Sequence, residues 1–262
     1  MSAATTTYAA WYGINSVPAA ALFAILYLPM FILFVYQSFE RPSPVFYSLA
    51  FFCIVRMVSF VLRAMIASPS DEDNVGMLIG DQILFSIGFF SLLYSAYTLV
   101  LDREIVSDYP ISDGIISRVI RRRTAFRLTL VAAIILGSVG LSDANSTDPE
   151  TGSVGTGLHE ASTIIFLVLV VLLAYQTVIL AIYEFRGGGF RHRKGSPGEK
   201  YGIYILLVIA SSCHPRVIAT ATASDFAKQN NEHFWYPLVA LPELLAVILY
   251  ATRTCTYALR AL

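Results

Sequence analysis

Charged residues are scarce in this sequence, and their scarcity excludes a large soluble domain. Asp, Glu, Lys and Arg make up 14% of the 262 residues, whereas a soluble domain carries about 25%. Hydrophobic residues make up 56% and occur in long runs from one end of the chain to the other. The formal net charge is zero, so the charge balance does not favour a nucleic-acid partner, and we expect none.

Cysteine is also rare, and lysine is missing from the apolar runs. The three cysteines are Cys53, Cys213 and Cys255; their number is odd and they lack metal-ligand spacing, so we interpret them as buried thiols. Because every lysine lies between apolar runs, the retinal Schiff base of a microbial rhodopsin is excluded. The sequence has no Walker lysine, Gly-rich phosphate loop or nucleophile elbow. We therefore expect no enzymatic activity, no metal and no cofactor.

Seven stretches are long and apolar enough to cross a bilayer, which requires about 20 residues. They are 17–36, 44–67, 75–101, 124–141, 158–183, 201–221 and 234–251. No basic segment precedes the first stretch, so we expect it to act as its own insertion signal. The predicted fold class is all-α: a polytopic membrane protein with seven transmembrane helices in a single domain, 1–262.

The loops predict the orientation, because Lys and Arg collect on the cytosolic side of short loops. Bases collect in the loops between spans three and four and between spans five and six, and in the C-terminal tail. The loop between spans four and five is assigned Asp143, Asp148 and Glu150 and no base. This alternation places the N-terminus outside the cytosol and the C-terminus inside, in the plasma membrane or an endomembrane. The sequon at Asn145 falls in an outside loop, so we expect glycosylation there.

The segment 111–123 has two interpretations. Ile111, Ile115 and Val119 recur every four residues, with arginines displaced from that stripe. This pattern is typical of a helix that lies along the inner leaflet and attracts anionic lipid. The alternative is that these arginines are ordinary positive-inside residues before span four.

Ionisable residues at membrane depth are the main candidates for a site, because each costs about 2.5–3.5 kcal/mol to insert. The bases are Arg56, Arg63 and Arg216, and the acids are Asp81, Glu160 and Glu243. The predicted topology places Arg56 and Glu243 near the middle of the membrane. It places Arg63, Asp81, His214 and Arg216 in the outer half.

These charges also have two interpretations. In the first, they form structural ion pairs, Arg63 with Asp81 and Arg56 with Glu243. In the second, they line an outward-facing cavity that binds an anionic headgroup. The predicted ligand-binding residues are then Arg56, Arg63, Asp81, His214, Arg216 and Glu243. Pro215 and Pro242 lie beside three of them and would kink spans six and seven.

Two other classes of function stay open. A seven-helix ligand receptor is suggested by Asp102-Arg103-Glu104 at the inner end of span three, although span seven lacks the Asn-Pro-x-x-Tyr pattern. An intramembrane zinc hydrolase would need His159, His214, His233 and Asp81 to converge at the outer face, and the His-x-x-x-His spacing is absent.

Several short motifs resemble a fungal seven-span integral membrane domain of unknown function. They are Tyr12-Gly13-Ile14-Asn15-Ser16, Phe51-Phe52-Cys53-Ile54-Val55-Arg56, Ser95-Ala96-Tyr97-Thr98-Leu99 and Leu241-Pro242-Glu243. More distantly, Glu232-His233-Phe234-Trp235-Tyr236 and Leu241-Pro242 resemble the fungal lipid-translocating exporters named for resistance to aminocholesterol, with Val239 where that family carries Asp. The resemblance implies the topology, and the expected role is to bind, sense or translocate a membrane lipid or amphiphile.

Overall fold

Helices make up the secondary structure of the part of the chain that the structure describes. The computed structural model describes residue 14 and residues 16–40, 42–68, 75–106, 122–144, 146, 148–186 and 232–251. The helices are α1 (Val17–Glu40), α2 (Pro44–Ile66), α3 (Val75–Val106), α4 (Arg123–Ala144), α5 (Pro149–Arg186), α6 (Glu232–Trp235) and α7 (Leu241–Ala251), with a π-helical turn (Tyr236–Ala240) between the last two. We call residues 232–251 the final helical segment.

Five of these helices, α1 to α5, are long and apolar enough to cross a membrane, which makes the chain a multi-pass membrane-type helical protein. They correspond to the first five predicted spans. The apolar helix Tyr236–Ala251 in the final helical segment is shorter. The predicted sixth span, 201–221, lies outside the described residues.

The connection between α4 and α5 is shorter than the sequence predicts. Asp143 lies in the last turn of α4, and Glu150 lies in the first turn of α5, so neither is a loop residue. The reason is a strong helix start at Asp148, whose Oδ2 accepts hydrogen bonds from the backbone N–H of Thr151 at 3.4 Å and from its hydroxyl at 2.6 Å. Pro149 takes the first helical position, which suits its fixed φ. These hydrogen bonds lower the pKa of Asp148 below its ordinary value of 3.8.

The α4–α5 hairpin is packed so closely that it needs glycine. A Cβ atom on Gly140 would lie 2.5 Å from the His159 nitrogen and 2.7 Å from the Gly155 oxygen. Ser162 of α5 donates a hydrogen bond to the carbonyl oxygen of Ala133 at 2.6 Å. Small residues let helix backbones approach in this way, which is the usual packing of membrane helices.

The helix α3 is the most enclosed span and α1 the least. In the most apolar 18-residue window, 67% of α3 residues are buried against 22% of α1 residues. Large apolar side chains of α1 face outward, among them Leu22, Ile25 and Ile32, as expected for a helix that faces lipid. The helix α2 packs between α1 and α3, and this arrangement positions the charged residues described next.

Candidate functional site

Two arginines of α2 are buried on the face that meets α3 and the final helical segment. Arg56 and Arg63 are 0% and 1% exposed. They are seven residues apart, which is about two helical turns and about 10 Å along the axis, so they share one face. Each has a carboxylate partner from another element, Glu243 and Asp81. We call these four side chains the buried charge cluster.

Arg56 is held from several sides. Its Nη2 lies 2.8 Å from Oε1 and 2.7 Å from Oε2 of Glu243. Its Nη1 donates a hydrogen bond to the carbonyl oxygen of Phe85 at 3.0 Å. The Phe85 ring covers the guanidinium, with 3.7 Å from Cζ to the ring centroid, a distance typical of a cation–π contact. Arg56 therefore ties α2 to both α3 and α7.

A glycine of α3 makes room for this guanidinium. A Cβ atom on Gly88 would lie 3.0 Å from both Cζ and Nη1 of Arg56 and 3.3 Å from Nε. These distances are shorter than ordinary van der Waals contacts, and Gly88 belongs to the same helix as Phe85. The absence of a side chain at position 88 thus leaves the space that the guanidinium of Arg56 occupies.

Arg63 is held differently, about two turns further along α2. Its Nε lies 3.4 Å from Oδ2 of Asp81, and the hydroxyl of Ser59 donates to Oδ1 of the same carboxylate at 2.5 Å. The Trp235 ring lies 3.6 Å from its Cζ. The ion pair of Arg63 is therefore longer than that of Arg56, and an indole covers its guanidinium.

The π-helical turn brings Trp235 and Glu243 onto the face that meets α2. In an uninterrupted α-helix, residues eight apart are offset by about 80° around the axis. The wider π-helical turn, closed by a hydrogen bond from the Leu241 N–H to the Tyr236 carbonyl, takes up an extra residue and reduces that offset. Trp235 can then contact Arg63 while Glu243 contacts Arg56.

Aromatic rings surround the cluster at the level of Arg63. Phe60 and Tyr236 each stack on Phe23, with ring centroids 5.3 Å and 5.2 Å apart, and Trp235 packs against Phe60 and Phe85. The hydroxyl of Tyr236 is buried and makes no hydrogen bond to a described residue. A buried hydroxyl without a hydrogen-bond partner costs free energy. A polar ligand group that formed a hydrogen bond with the Tyr236 hydroxyl would therefore be bound favourably.

The structure thus brings together four of the residues predicted from the sequence. Arg56, Arg63, Asp81 and Glu243 form the two ion pairs of the structural interpretation, which confirms that pairing. Glu160 is exposed on α5 and takes no part in either pair. His214, Arg216 and Asn145 lie outside the described residues. Ligand binding by the cluster stays a prediction.

Sequence reasoning missed the residues that complete the cluster. Ser59 is one turn from Arg63 on α2, and a serine at helical spacing from an arginine is the signal that could have identified it. Gly88 and Phe85 carry no such signal, because a carbonyl oxygen and a missing Cβ have no pattern in the sequence. Trp235 was noted only as part of an aromatic run. Its cation–π contact depends on the π-helical turn, which the sequence pattern does not predict.

The Asp102-Arg103-Glu104 triplet at the other end of α3 is tied into neighbouring helices. Asp102 pairs with Arg123 of α4, with 2.8 Å between Oδ1 and Nη2. Glu104 accepts a hydrogen bond from Gln176 of α5 at 3.1 Å. These contacts give the triplet a structural role and lend no support to the receptor alternative. Within the described residues, no group of three His, Cys, Asp or Glu side chains could hold a metal ion, so the zinc hydrolase gains no support there either.

Comparison with known proteins assigns the chain to a family. Among curated proteins and among solved structures, nothing matches the chain. Residues 15–187 match the family described as Domain of unknown function (DUF7702). The match runs from just before α1 to just past α5 and contains Arg56, Arg63 and Asp81, whereas Glu243 lies beyond it. Because it covers more than half of the sequence, the chain belongs to the DUF7702 family of multi-pass, membrane-type helical proteins of unknown function.

Proposed function

We propose that this protein binds the anionic headgroup of a membrane lipid or amphiphile at Arg63, with Arg56 and Glu243 as the fixed floor of the site. The observation that carries the proposal is the contrast between the two arginines. Arg56 contacts both oxygens of its carboxylate and a backbone carbonyl. Arg63 lies 3.4 Å from its carboxylate, and an incoming anion would replace this longer ion pair more easily than that of Arg56.

The surroundings of Arg63 support this assignment. A guanidinium presents its donors as a planar fork that matches a carboxylate or phosphate. Trp235 would keep one face of that fork covered while an anion approaches its edge, and the Tyr236 hydroxyl beside Trp235 offers a donor. Trp235 and Tyr236 meet where α6 passes into the π-helical turn, and π-helical turns occur frequently at functional sites.

The proposal includes seven spans with the N-terminus outside the cytosol, which puts Arg63 in the outer half of the membrane. The backbone N–H of Ser16 donates to Oε1 of Glu232 at 3.0 Å, so α1 and the final helical segment begin at the same end of the bundle. Five crossings by α1 to α5 end at the opposite end. We therefore propose that the chain crosses once more before Glu232, through the apolar stretch 201–221. His214 and Arg216 in that stretch are proposed to line the approach to Arg63.

In the proposed mechanism, the ligand competes with Asp81. An anion that takes the fork of Arg63 leaves the Asp81 carboxylate with the Ser59 hydroxyl. A more specific version of the proposal is that the protein also translocates the bound lipid, as the resemblance to the lipid-translocating exporters suggests. It would require the ion pair to open and close as the headgroup passes.

The test is the thermal stability of the purified full chain in a neutral detergent, with and without oleate. Oleyl alcohol has the same chain length without the carboxylate and serves as the matched probe. We expect oleate, and not oleyl alcohol, to raise the melting temperature. Arg63→Lys keeps the charge and loses the fork, and Tyr236→Phe loses only the hydroxyl. Both should reduce the oleate shift. Tyr236→Phe should leave the melting temperature without oleate close to that of the wild type, and Arg63→Lys should lower it without preventing folding, because it loses the stacking on Trp235.

Asp81→Asn separates binding from a purely structural role. It removes the charge of the carboxylate that pairs with Arg63, so we expect a lower melting temperature than in Glu160→Gln, which changes an exposed carboxylate. If an anion replaces Asp81, oleate should restore part of this loss, and its stabilising shift should exceed that of the wild type. If oleate leaves Asp81→Asn as unstable as before, the proposal is wrong and the cluster is structural.

A further inference from the structure

The start of α4 carries a second group of arginines, far from the buried charge cluster. Arg122, Arg123 and Arg127 are exposed. Arg123 and Arg127 are four residues apart, so they lie on one face of the helix. The predicted orientation puts this end of α4 on the cytosolic side, and Arg127 already belongs to the apolar run of α4. This topology places the two guanidiniums at the level of the lipid headgroups.

Both arginines are oriented by side chains of α3. Arg123 pairs through Nη2 with Asp102 at 2.8 Å. Arg127 donates through Nη2 to the Tyr94 hydroxyl, and its Cζ lies 4.9 Å from the centre of that ring. Stacked rings of Tyr97 and Phe126, with centroids 3.8 Å apart, hold α3 against α4 between these contacts. Among the residues that the structure describes, each guanidinium uses one nitrogen for these hydrogen bonds, so other N–H donors are available to a ligand.

The same face of α4 continues as an apolar stripe. Val131 and Ile135 follow Arg127 at intervals of four residues and are 42% and 57% exposed. Phe90, which stacks on Tyr94, is partly buried and extends the neighbouring surface of α3. A charged head at the helix start followed by an exposed apolar line has the polarity of a phospholipid: anion first, hydrocarbon after it.

We propose that Arg123 and Arg127 bind the phosphate of an anionic phospholipid, whose acyl chain lies along Val131 and Ile135. The charge of the surrounding residues favours an anion, since Arg103, Arg122, Arg123 and Arg127 outweigh Asp102 and Glu104. Basic side chains between membrane helices near the cytosolic surface are suited to anionic headgroups. The site does not include Arg63, so its test does not depend on whether the proposed function is correct.

Native mass spectrometry of the purified full chain tests this site. The protein is incubated with equal amounts of dioleoyl phosphatidic acid and dioleoyl phosphatidylcholine, which share their acyl chains. The wild type should retain phosphatidic acid in preference. In the double variant Arg123→Gln, Arg127→Gln, this preference should fall by about tenfold, the combined scale of two exposed charge contacts. A wild type that retains both lipids equally overturns the proposal.

Two matched variants distinguish a built site from general attraction or misfolding. Arg122→Gln removes the same charge beside the stripe, and it should leave the preference within about twofold of wild type. Asp102→Asn removes the negative charge that competes for Arg123 but keeps a side-chain oxygen that can orient it, so it should keep or raise the preference. A loss in Arg122→Gln equal to that of the double variant would mean diffuse electrostatics. A loss in Asp102→Asn would mean that Arg123 acts only through its ion pair; either result overturns the proposal.

Discussion

Buried ion pairs join α2 to α3 and to the final helical segment, whereas glycine and hydroxyl contacts join α4 to α5. The ion pair between Arg56 and Glu243 links residues that are 187 positions apart in the chain. The contact between α4 and α5 links helices that are neighbours across a short turn, and a Cβ atom on Gly140 would already clash with the backbone of α5. One region thus depends on charge and the other on close approach of the backbone.

The difference follows from what each contact must specify. A hairpin with a short connection has few alternative arrangements, so packing of small residues is sufficient. The final helical segment reaches α2 after a long stretch of chain and could pair in several registers. A charge at membrane depth is expensive without its partner, so Arg56 and Glu243 penalise every register in which they do not meet.

The largest effect is expected at Arg56 and Glu243, where a double-mutant cycle measures how strongly the two charges are coupled. Glu243→Leu leaves Arg56 buried without its carboxylate, and loss of one partner of a buried pair costs about 3–5 kcal/mol. Replacing both residues, Arg56→Met with Glu243→Leu, removes the unpaired charge and should recover much of that loss. Thermal or denaturant unfolding in detergent measures both. Additive effects of the two substitutions would show that the pair is not coupled.

A smaller effect is expected in the α4–α5 hairpin. Gly140→Ala places a Cβ against backbone atoms of α5 that cannot rotate away, so the helices must separate, at a cost of about 1–3 kcal/mol. Gly157→Ala is the matched control on α5, because nothing lies within 4 Å of its added Cβ. The same unfolding assay should show Gly140→Ala destabilised and Gly157→Ala unchanged or slightly more stable. Equal stability of the two variants would contradict close packing at Gly140.

The sequence alone predicted the charged region better than the packed one. Depth along each span was sufficient to pair Arg56 with Glu243 and Arg63 with Asp81, because opposite charges in a bilayer must meet at matching depth. The approach of Gly140 to α5 depends on helix rotation, which depth does not give. Arg127 was overlooked for a similar reason. It lies about one turn inside the predicted start of span four, so the sequence assigns it neither to a loop nor to the middle of the membrane.

The smallest expected effect is at the turn between α4 and α5, where a charge supports the packed region. The fully exposed Asp148 accepts hydrogen bonds from the hydroxyl and backbone of Thr151, which lower its pKa below 3.8. A carboxylate with a lowered pKa stabilises the folded state above its unfolded-state pKa, and this stabilisation is lost as pH falls through the lowered value. Hydrogen exchange should therefore show the Thr151 and Gly152 amides well protected near neutral pH and less protected below pH 3.8. In Thr151→Val, which removes the hydroxyl, the loss of protection should begin at a higher pH. An unchanged pH dependence in this variant would mean that the Thr151 hydroxyl does not stabilise the carboxylate.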